Sequence, residues 1–219
     1  MSQEFIFKKN NGKLEFVGNF EALYQFDENP WGQSGDSDRL AKLYKISRDN
    51  LVKNITDLPD INTICEIGCG LGYVTELLNS KLINIKVDGV DISKTAIAKA
   101  KNLFPNIDFF LGDITKPDFS LRQNYDIIIL NQILWYILQD LKNVFANVDK
   151  LLNGNGYIII STLFLKEQNY GVEIIGSFDD LLSYCLDNYK DKYRFIYASI
   201  DYKDTQSQHM DSILILQKK

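Results

Sequence analysis

The chain has 219 residues, a net charge of −5 and a pI near 5.0, with 45% apolar and 24% charged residues. This length suits one domain with a sizeable core, and the acidic balance argues against nucleic acid as a partner, since phosphate backbones select basic surfaces. No apolar stretch approaches a membrane span, the first residues do not read as a leader, and three cysteines offer neither a disulfide framework nor zinc spacing; the expectation is a cytoplasmic protein with no membrane partner and no metal.

In chain order, residues 4–8 and 13–17 read as strands around Asn11-Gly12, a strong hairpin turn. Residues 20–26 are short and amphipathic. Asp27 to Gly35 is a loop by composition. A helix follows, with Leu40, Leu43, Tyr44, Leu51 and Ile55 close to one face and Asp36, Ser37 or Asp38 as candidate caps. From residue 61 strands and helices alternate. Strands are predicted at 63–67, 86–91, 107–111, 125–130 and 156–162, and helices at about 72–82, 93–103, 134–152 and 178–189. Ser93 is a suitable N-cap and Pro105 ends the helix it starts. Two further strands read at 193–202 and 212–217, without a crossover helix between them, so they should be antiparallel. Continuous apolar runs at 127–130 and 158–160 fit central parallel strands covered on both faces. The fold class is therefore α/β, a Rossmann-like sheet with helices on both faces. Residues 1–35 form a hairpin and lid segment before a domain over 36–219.

The most informative stretch is Glu66-Ile67-Gly68-Cys69-Gly70-Leu71-Gly72, in which an apolar strand ends and three glycines alternate before a helix. A strand, a tight glycine turn and a helix N-terminus make a cradle for a nucleotide-type cofactor. Asp91 closes the second strand 19 positions after Gly72, near the spacing of an acid that grips ribose. Its two oxygens can accept from both ribose hydroxyls; capping the next helix is the plainer role, for which Ser93 is better suited. Asp113 and Ile114 end the third strand, where an acid can accept from an adenine amine and apolar groups can cover the ring. Asn131 ends the fourth strand, at the ligand crevice of an open α/β sheet, and can also cap the helix that follows. These features fall at the ends of four successive strands.

Together these residues resemble the class I S-adenosylmethionine-dependent methyltransferases: Glu66 to Gly72 resembles their first motif, Val90-Asp91-Ile92-Ser93 the ribose motif and Leu111-Gly112-Asp113-Ile114 the adenine motif. Leu151 to Tyr157 resembles the turn into their fifth strand, with Gly-Asn-Gly where Pro-Gly-Gly is usual. The match runs from about residue 36 to the C-terminus. It implies a seven-stranded sheet in the order 3-2-1-4-5-7-6 with the last strand antiparallel, and S-adenosylmethionine as cofactor. By carry-over, Gly68, Cys69 and Gly70 pass along its methionine part with Glu66 near the amino end. Asp91 then holds ribose, Asp113 and Ile114 hold adenine, Ile92 is a further cofactor contact, and Asn131 lies by the methionine amine or the reacting methyl. Asn29-Pro30-Trp31-Gly32 with Trp135-Tyr136 is similar to the nodulation-type N-methyltransferases and relatives from surface-polysaccharide clusters, which carry Asp where this chain has Asn29.

Several side chains carry two open roles. Trp31 can lid the cofactor or anchor the N-terminal segment. Arg48, one turn after Tyr44, can pair with the cofactor carboxylate or be a solvated surface arginine. His209, in the loop between the last strands, and Tyr170 are the candidate catalytic groups. Gln132, Trp135, Tyr136 and Glu173 are candidate substrate contacts. Each of these has an ordinary structural reading beside the functional one. The expected activity is methyl transfer to a hydroxyl or amine of a small molecule, a sugar or nucleotide-linked intermediate among the candidates, by a monomer or homodimer. Two alternatives stand: an NAD-dependent oxidoreductase, whose signature places the third glycine one position later, and a non-catalytic cofactor-binding subunit.

Overall fold

A computed structural model describes the backbone of residues 2–35, 38–165, 169–202 and 209–219; of these, the side chains of residues 2–3, 38–43, 202 and 209 are not described. The proposed caps Asp36 and Ser37 lie outside the described residues, as does the side chain of Asp38.

The hairpin predicted around Asn11-Gly12 forms, with strands β1 (Phe7–Asn10) and β2 (Lys13–Phe16). Asn11 and Gly12 both have positive φ, as the turn requires. Helices α1 (Phe20–Phe26) and α2 (Asp38–Thr56) follow. The alternating region then gives β3 (Thr63–Ile67), α3 (Tyr73–Lys81), β4 (Lys86–Asp91), α4 (Lys94–Leu103) and β5 (Phe109–Leu111). It continues with β6 (Tyr125–Asn131), α5 (Leu134–Ile137), a 3-10 turn at Leu138–Asp140, α6 (Leu141–Leu151) and β7 (Leu152–Leu165). The chain closes with α7 (Phe178–Tyr189), β8 (Tyr193–Tyr202) and β9 (His209–Lys218).

Seven strands form one sheet in the order β5-β4-β3-β6-β7-β9-β8. This is the expected order, with β9 antiparallel to both of its neighbours. The chain separates into two compact units. The first comprises residues 1–8 and 16–113 and carries β3, β4 and β5, which pair in parallel. The second comprises residues 9–15 and 114–219, where β6 and β7 pair in parallel and β9 and β8 extend the ladder. Residues 127–130 of β6 and 158–160 of β7 are fully buried, as their apolar runs require.

Three elements differ from expectation for local reasons. The third strand begins at Phe109 rather than 107, because the Ile107 amide donates to the Phe104 carbonyl in the turn around Pro105. The long helix expected at 134–152 breaks into three pieces where Ile137 and Asp140 leave helical geometry, while Leu134, Ile137, Leu138 and Leu141 stay buried on the one face that their spacing defines. The last strand begins at His209, which pairs with Leu165, so His209 opens a strand instead of sitting in the preceding loop.

Candidate cofactor site

The first unit places the glycine turn between β3 and α3. Gly68, Gly70 and Gly72 all adopt positive φ, of 77, 55 and 81°. At two of them space is excluded as well. A Cβ on Gly70 would meet the Tyr24 hydroxyl at 2.5 Å and the Gln33 amide at 2.6 Å; one on Gly72 would meet the Phe109 ring at 2.6 Å. The alternating glycines thus serve both a left-handed backbone and close approach by other groups.

The turn is held from outside. Gly68 and Cys69 both donate their amides to the Val90 carbonyl, at 2.7 and 2.9 Å. Gly70 donates to Asp91 Oδ2 at 2.9 Å, and Asp91 Oδ1 accepts from the Ser93 amide at 2.8 Å. Asp91 is 7% exposed. Burial pushes its carboxyl up from 3.8 to about 6, against the pull of the Ser93, Gly70 and Ile92 amides, which favour the charged form. A carboxylate has about four acceptor positions, so these backbone amides leave capacity for a further donor. Ser93 caps α4, accepting from the Ala96 amide, as its sequence position predicts.

Beside Asp91 lie two exposed apolar side chains. Ile92 is 46% exposed, and Leu111, the register partner of Asp91 on β5, is 57% exposed. Large apolar groups left in water at the carboxyl ends of adjacent strands suit a planar ligand ring. Leu111 was not among the sequence candidates. Asp113 is half-buried after β5.

Glu66 is buried at the end of β3 and accepts from Thr75 Oγ1 of α3 at 2.6 Å. Arg48 donates from Nη2 to the Gln33 carbonyl at 2.7 Å and lies 5.0 Å from the centre of the Tyr44 ring. Its Nε is buried without a hydrogen-bond partner. Burial lowers the guanidinium pKa, opposed chiefly by the charge of Glu66. Arg48 is therefore a partly desolvated cation with donor capacity to spare, rather than a solvated surface arginine. Tyr44 donates its hydroxyl to the Trp31 carbonyl, and Trp31 packs against the cluster of Tyr24, Leu71 and Ala96. The aromatic anchor role of Trp31 is thus present in the packing. Cys69 is fully buried, and burial pushes its thiol well above the usual range, so it is no nucleophile.

Sequence reasoning missed the N-terminal contribution. The Gln33 side chain accepts from the Leu71 amide at 2.9 Å and donates to the Cys69 carbonyl at 3.4 Å. Glu21 accepts from Ser93 Oγ and from the Thr95 amide and hydroxyl, which hold its carboxyl down at about 2. Lys99 donates to the Tyr24 and Asp27 carbonyls and pairs with Glu28. These bonds fasten α1 to α4 at both ends of α1. No short sequence pattern announces them, because the partners are some seventy residues apart.

In the second unit, Asn131 ends β6, half-buried, in register with Ser161. Ile114 is buried and its carbonyl accepts from Asn147 at 2.8 Å. Gln132 has φ 57°; its amide donates to the Ser161 carbonyl and its Oε1 accepts from the Leu163 amide at 3.1 Å. Trp135 Nε1 donates to the Leu163 carbonyl at 3.0 Å, and its ring meets Phe164 edge-on. Tyr136 is half-buried and Glu173 exposed. Tyr170 is half-buried; desolvation raises its phenol pKa, while a bond with Gln139 lowers it. The side chain of His209 lies outside the described residues. No group of metal-ligating residues occurs among the described residues, and no helix described is long and apolar enough to cross a membrane.

This sheet, with a glycine turn bonded to the acid that ends the adjacent strand, defines a Rossmann-like α/β domain. Residues 60–214 match the family model of the methyltransferase domain, and the chain belongs to that family, the class I S-adenosylmethionine-dependent methyltransferases. Malonyl-[acyl-carrier protein] O-methyltransferase 2 of Ilyobacter polytropus is 32% identical over 151 residues, covering 67% of this chain and 57% of that protein. Trans-aconitate 2-methyltransferase of Escherichia coli is 31% identical over 103 residues, covering 47% of this chain and 40% of that protein. The chain spans about half the length of the curated relatives it matches. The N-methyltransferase NodS of Bradyrhizobium japonicum, solved with S-adenosyl-L-homocysteine, shares the fold at a TM-score of 0.64 and 15% identity, covering 88% of this chain and 93% of NodS.

The family's cofactor is S-adenosylmethionine, and the residues of the first unit fit it on their own chemistry. The buried Arg48 Nε is a donor awaiting an acceptor, and Asp91 keeps acceptor capacity for a hydroxyl donor.

Proposed function

We propose that this protein transfers the methyl group of S-adenosylmethionine to an oxygen or nitrogen of a small molecule. The observation that carries the reading is the bond from the Gly70 amide to Asp91, which ties the glycine turn to the acid at the end of β4. In this reading Asp91 accepts from the ribose hydroxyls, and Ile92 and Leu111 cover the adenine with Asp113 at its amine. Gly68 and Gly70 pass the methionine part, and Arg48 supplies positive charge for its carboxylate. The bound cofactor supplies a methyl already activated by its sulfonium. The chain's own task is to hold the acceptor lone pair in line with the breaking C–S bond and to exclude water. An amine needs only an outlet for its proton; a hydroxyl needs a base within reach. Tyr170 and His209 are the candidates for that role.

A hydroxyl or amine of a sugar or nucleotide-linked intermediate is the acceptor class favoured by the sequence likeness of Asn29-Pro30-Trp31-Gly32 and Trp135-Tyr136 to nodulation-type enzymes. The relatives named for malonyl-[acyl-carrier protein] and trans-aconitate support a second class, a carboxylate oxygen, which needs no base at neutral pH because it is already ionised. Incubation with methyl-labelled S-adenosylmethionine and a panel of amino sugars, nucleotide sugars and small polycarboxylates separates the two. Label transferred to a sugar supports the first class and label in base-labile methyl esters the second. S-adenosylhomocysteine formed with no member of any class refutes small-molecule transfer.

A further inference from the structure

The glycine turn gets its shape from two sides. On one, β4 supplies the Val90 carbonyl and the Asp91 carboxylate. On the other stands Gln33, in a short strap between α1 and α2. The Gln33 carboxamide uses both of its functions on the turn, as acceptor from the Leu71 amide and donor to the Cys69 carbonyl. It occupies the space a Cβ on Gly70 would take. Gln33 is in turn held by its own backbone. Its amide donates to Asn29 Oδ1 at 2.7 Å, and its carbonyl accepts from Arg48. Asn29 also donates to Ser34 Oγ at 2.7 Å, which closes the strap on itself.

We propose that Gln33 is a positioning residue of the cofactor site, setting the Cys69–Gly70–Leu71 backbone in its ligand-binding shape and coupling it through its own carbonyl to Arg48. The inference rests on the proposed function and deepens it. Three alternating glycines leave the turn with the largest backbone freedom of any segment of similar length. An ordered site therefore needs bonds from outside, and Gln33 supplies two of them. It also fixes the role of Asn29, where the likeness to nodulation-type enzymes has Asp. An amide at this position donates to Ser34 while accepting from Gln33, so one side chain sets both ends of the strap's tight turn.

The test compares Gln33→Met, which keeps the volume and loses both bonds, with Gln33→Glu, which keeps the acceptor for Leu71 and loses the donor for Cys69. S-adenosylhomocysteine affinity is read by calorimetry, folding by melting temperature, and the KM for S-adenosylmethionine is set against kcat. Gln33→Met should weaken affinity roughly tenfold, the scale of two neutral hydrogen bonds. KM for S-adenosylmethionine should rise by a similar factor with kcat little changed, and Gln33→Glu should fall between the two. Wild-type affinity in Gln33→Met overturns the proposal, as does a tighter affinity, which would make Gln33 a competitor for the turn. A loss of affinity matched by a collapse in melting temperature makes the residue structural only and also overturns it. A wild-type protein that binds no S-adenosylhomocysteine removes the proposed function itself, a result distinct from any difference between variants.

Discussion

The turns that follow β3 and β6 solve the same problem in opposite ways. After β3, the backbone of the turn is held by side chains from elsewhere: Asp91 takes the Gly70 amide and Gln33 takes Leu71 and Cys69. After β6, the turn's own side chains hold the backbone of another strand: Gln132 takes the Leu163 amide and Trp135 its carbonyl. The first arrangement needs glycine, because foreign groups come within contact distance of the main chain. The second tolerates a glutamine at φ 57°, a conformation costing about 1–3 kcal/mol, because bonds to Ser161 and Leu163 over-determine it. A turn held from outside can offer itself to a ligand. A turn that spends its side chains on scaffolding has fewer left to offer.

If that contrast is right, the largest effect should come from Asp91→Ala. It removes the acceptor for Gly70 and Ser93 together, and S-adenosylhomocysteine affinity should fall by about a hundredfold or more by calorimetry, at ~1–3 kcal/mol for each charge-assisted bond. Retained affinity would show that the turn does not depend on β4. Next comes Gly70→Ala. It combines a left-handed φ with a Cβ 2.5 Å from the Tyr24 hydroxyl, and about 2 kcal/mol of stability should be lost in urea unfolding along with cofactor binding.

The Asp91 carboxyl gives a pH signature. Its folded pKa lies above its unfolded value, so the unfolded chain gives up the proton first as pH rises. The contribution of Asp91 is then greatest below about pH 4 and declines between about pH 4 and pH 6, the two ends set by 3.8 and about 6. Ribose hydroxyls donate to the ionised form, so S-adenosylhomocysteine affinity should fall about tenfold per unit below pH 6. Binding unchanged between pH 8 and pH 5 would refute the ribose role.

The smallest effects belong to the second turn. Trp135→Phe and Gln132→Ala should each cost ~1 kcal/mol of stability while leaving S-adenosylhomocysteine affinity within a factor of two. A large loss of cofactor affinity in either variant would erase the contrast between the turns.

The sequence made the first region legible wherever the chemistry is local. The ends of β3 and β4, the Ser93 cap and the glycine turn follow from neighbouring residues. The bonds of Gln33 to the glycine turn and of Glu21 to the start of α4 do not, since those partners lie 36 to 74 residues away. Trp135 was legible as an aromatic near a strand end, but the partner of its N–H depends on the register between β6 and β7, which no local pattern states. The break in the helix after Asn131 was hidden because Leu134, Ile137, Leu138 and Leu141 have the spacing of an unbroken helical face, and no residue pattern marks the non-helical backbone at Ile137 and Asp140.

The most direct test is calorimetry of the wild-type protein with S-adenosyl-L-homocysteine and, in a second titration, NAD. The account predicts saturable binding of the first at one site per chain and none of the second. Saturable NAD binding with no response to S-adenosylhomocysteine would contradict it.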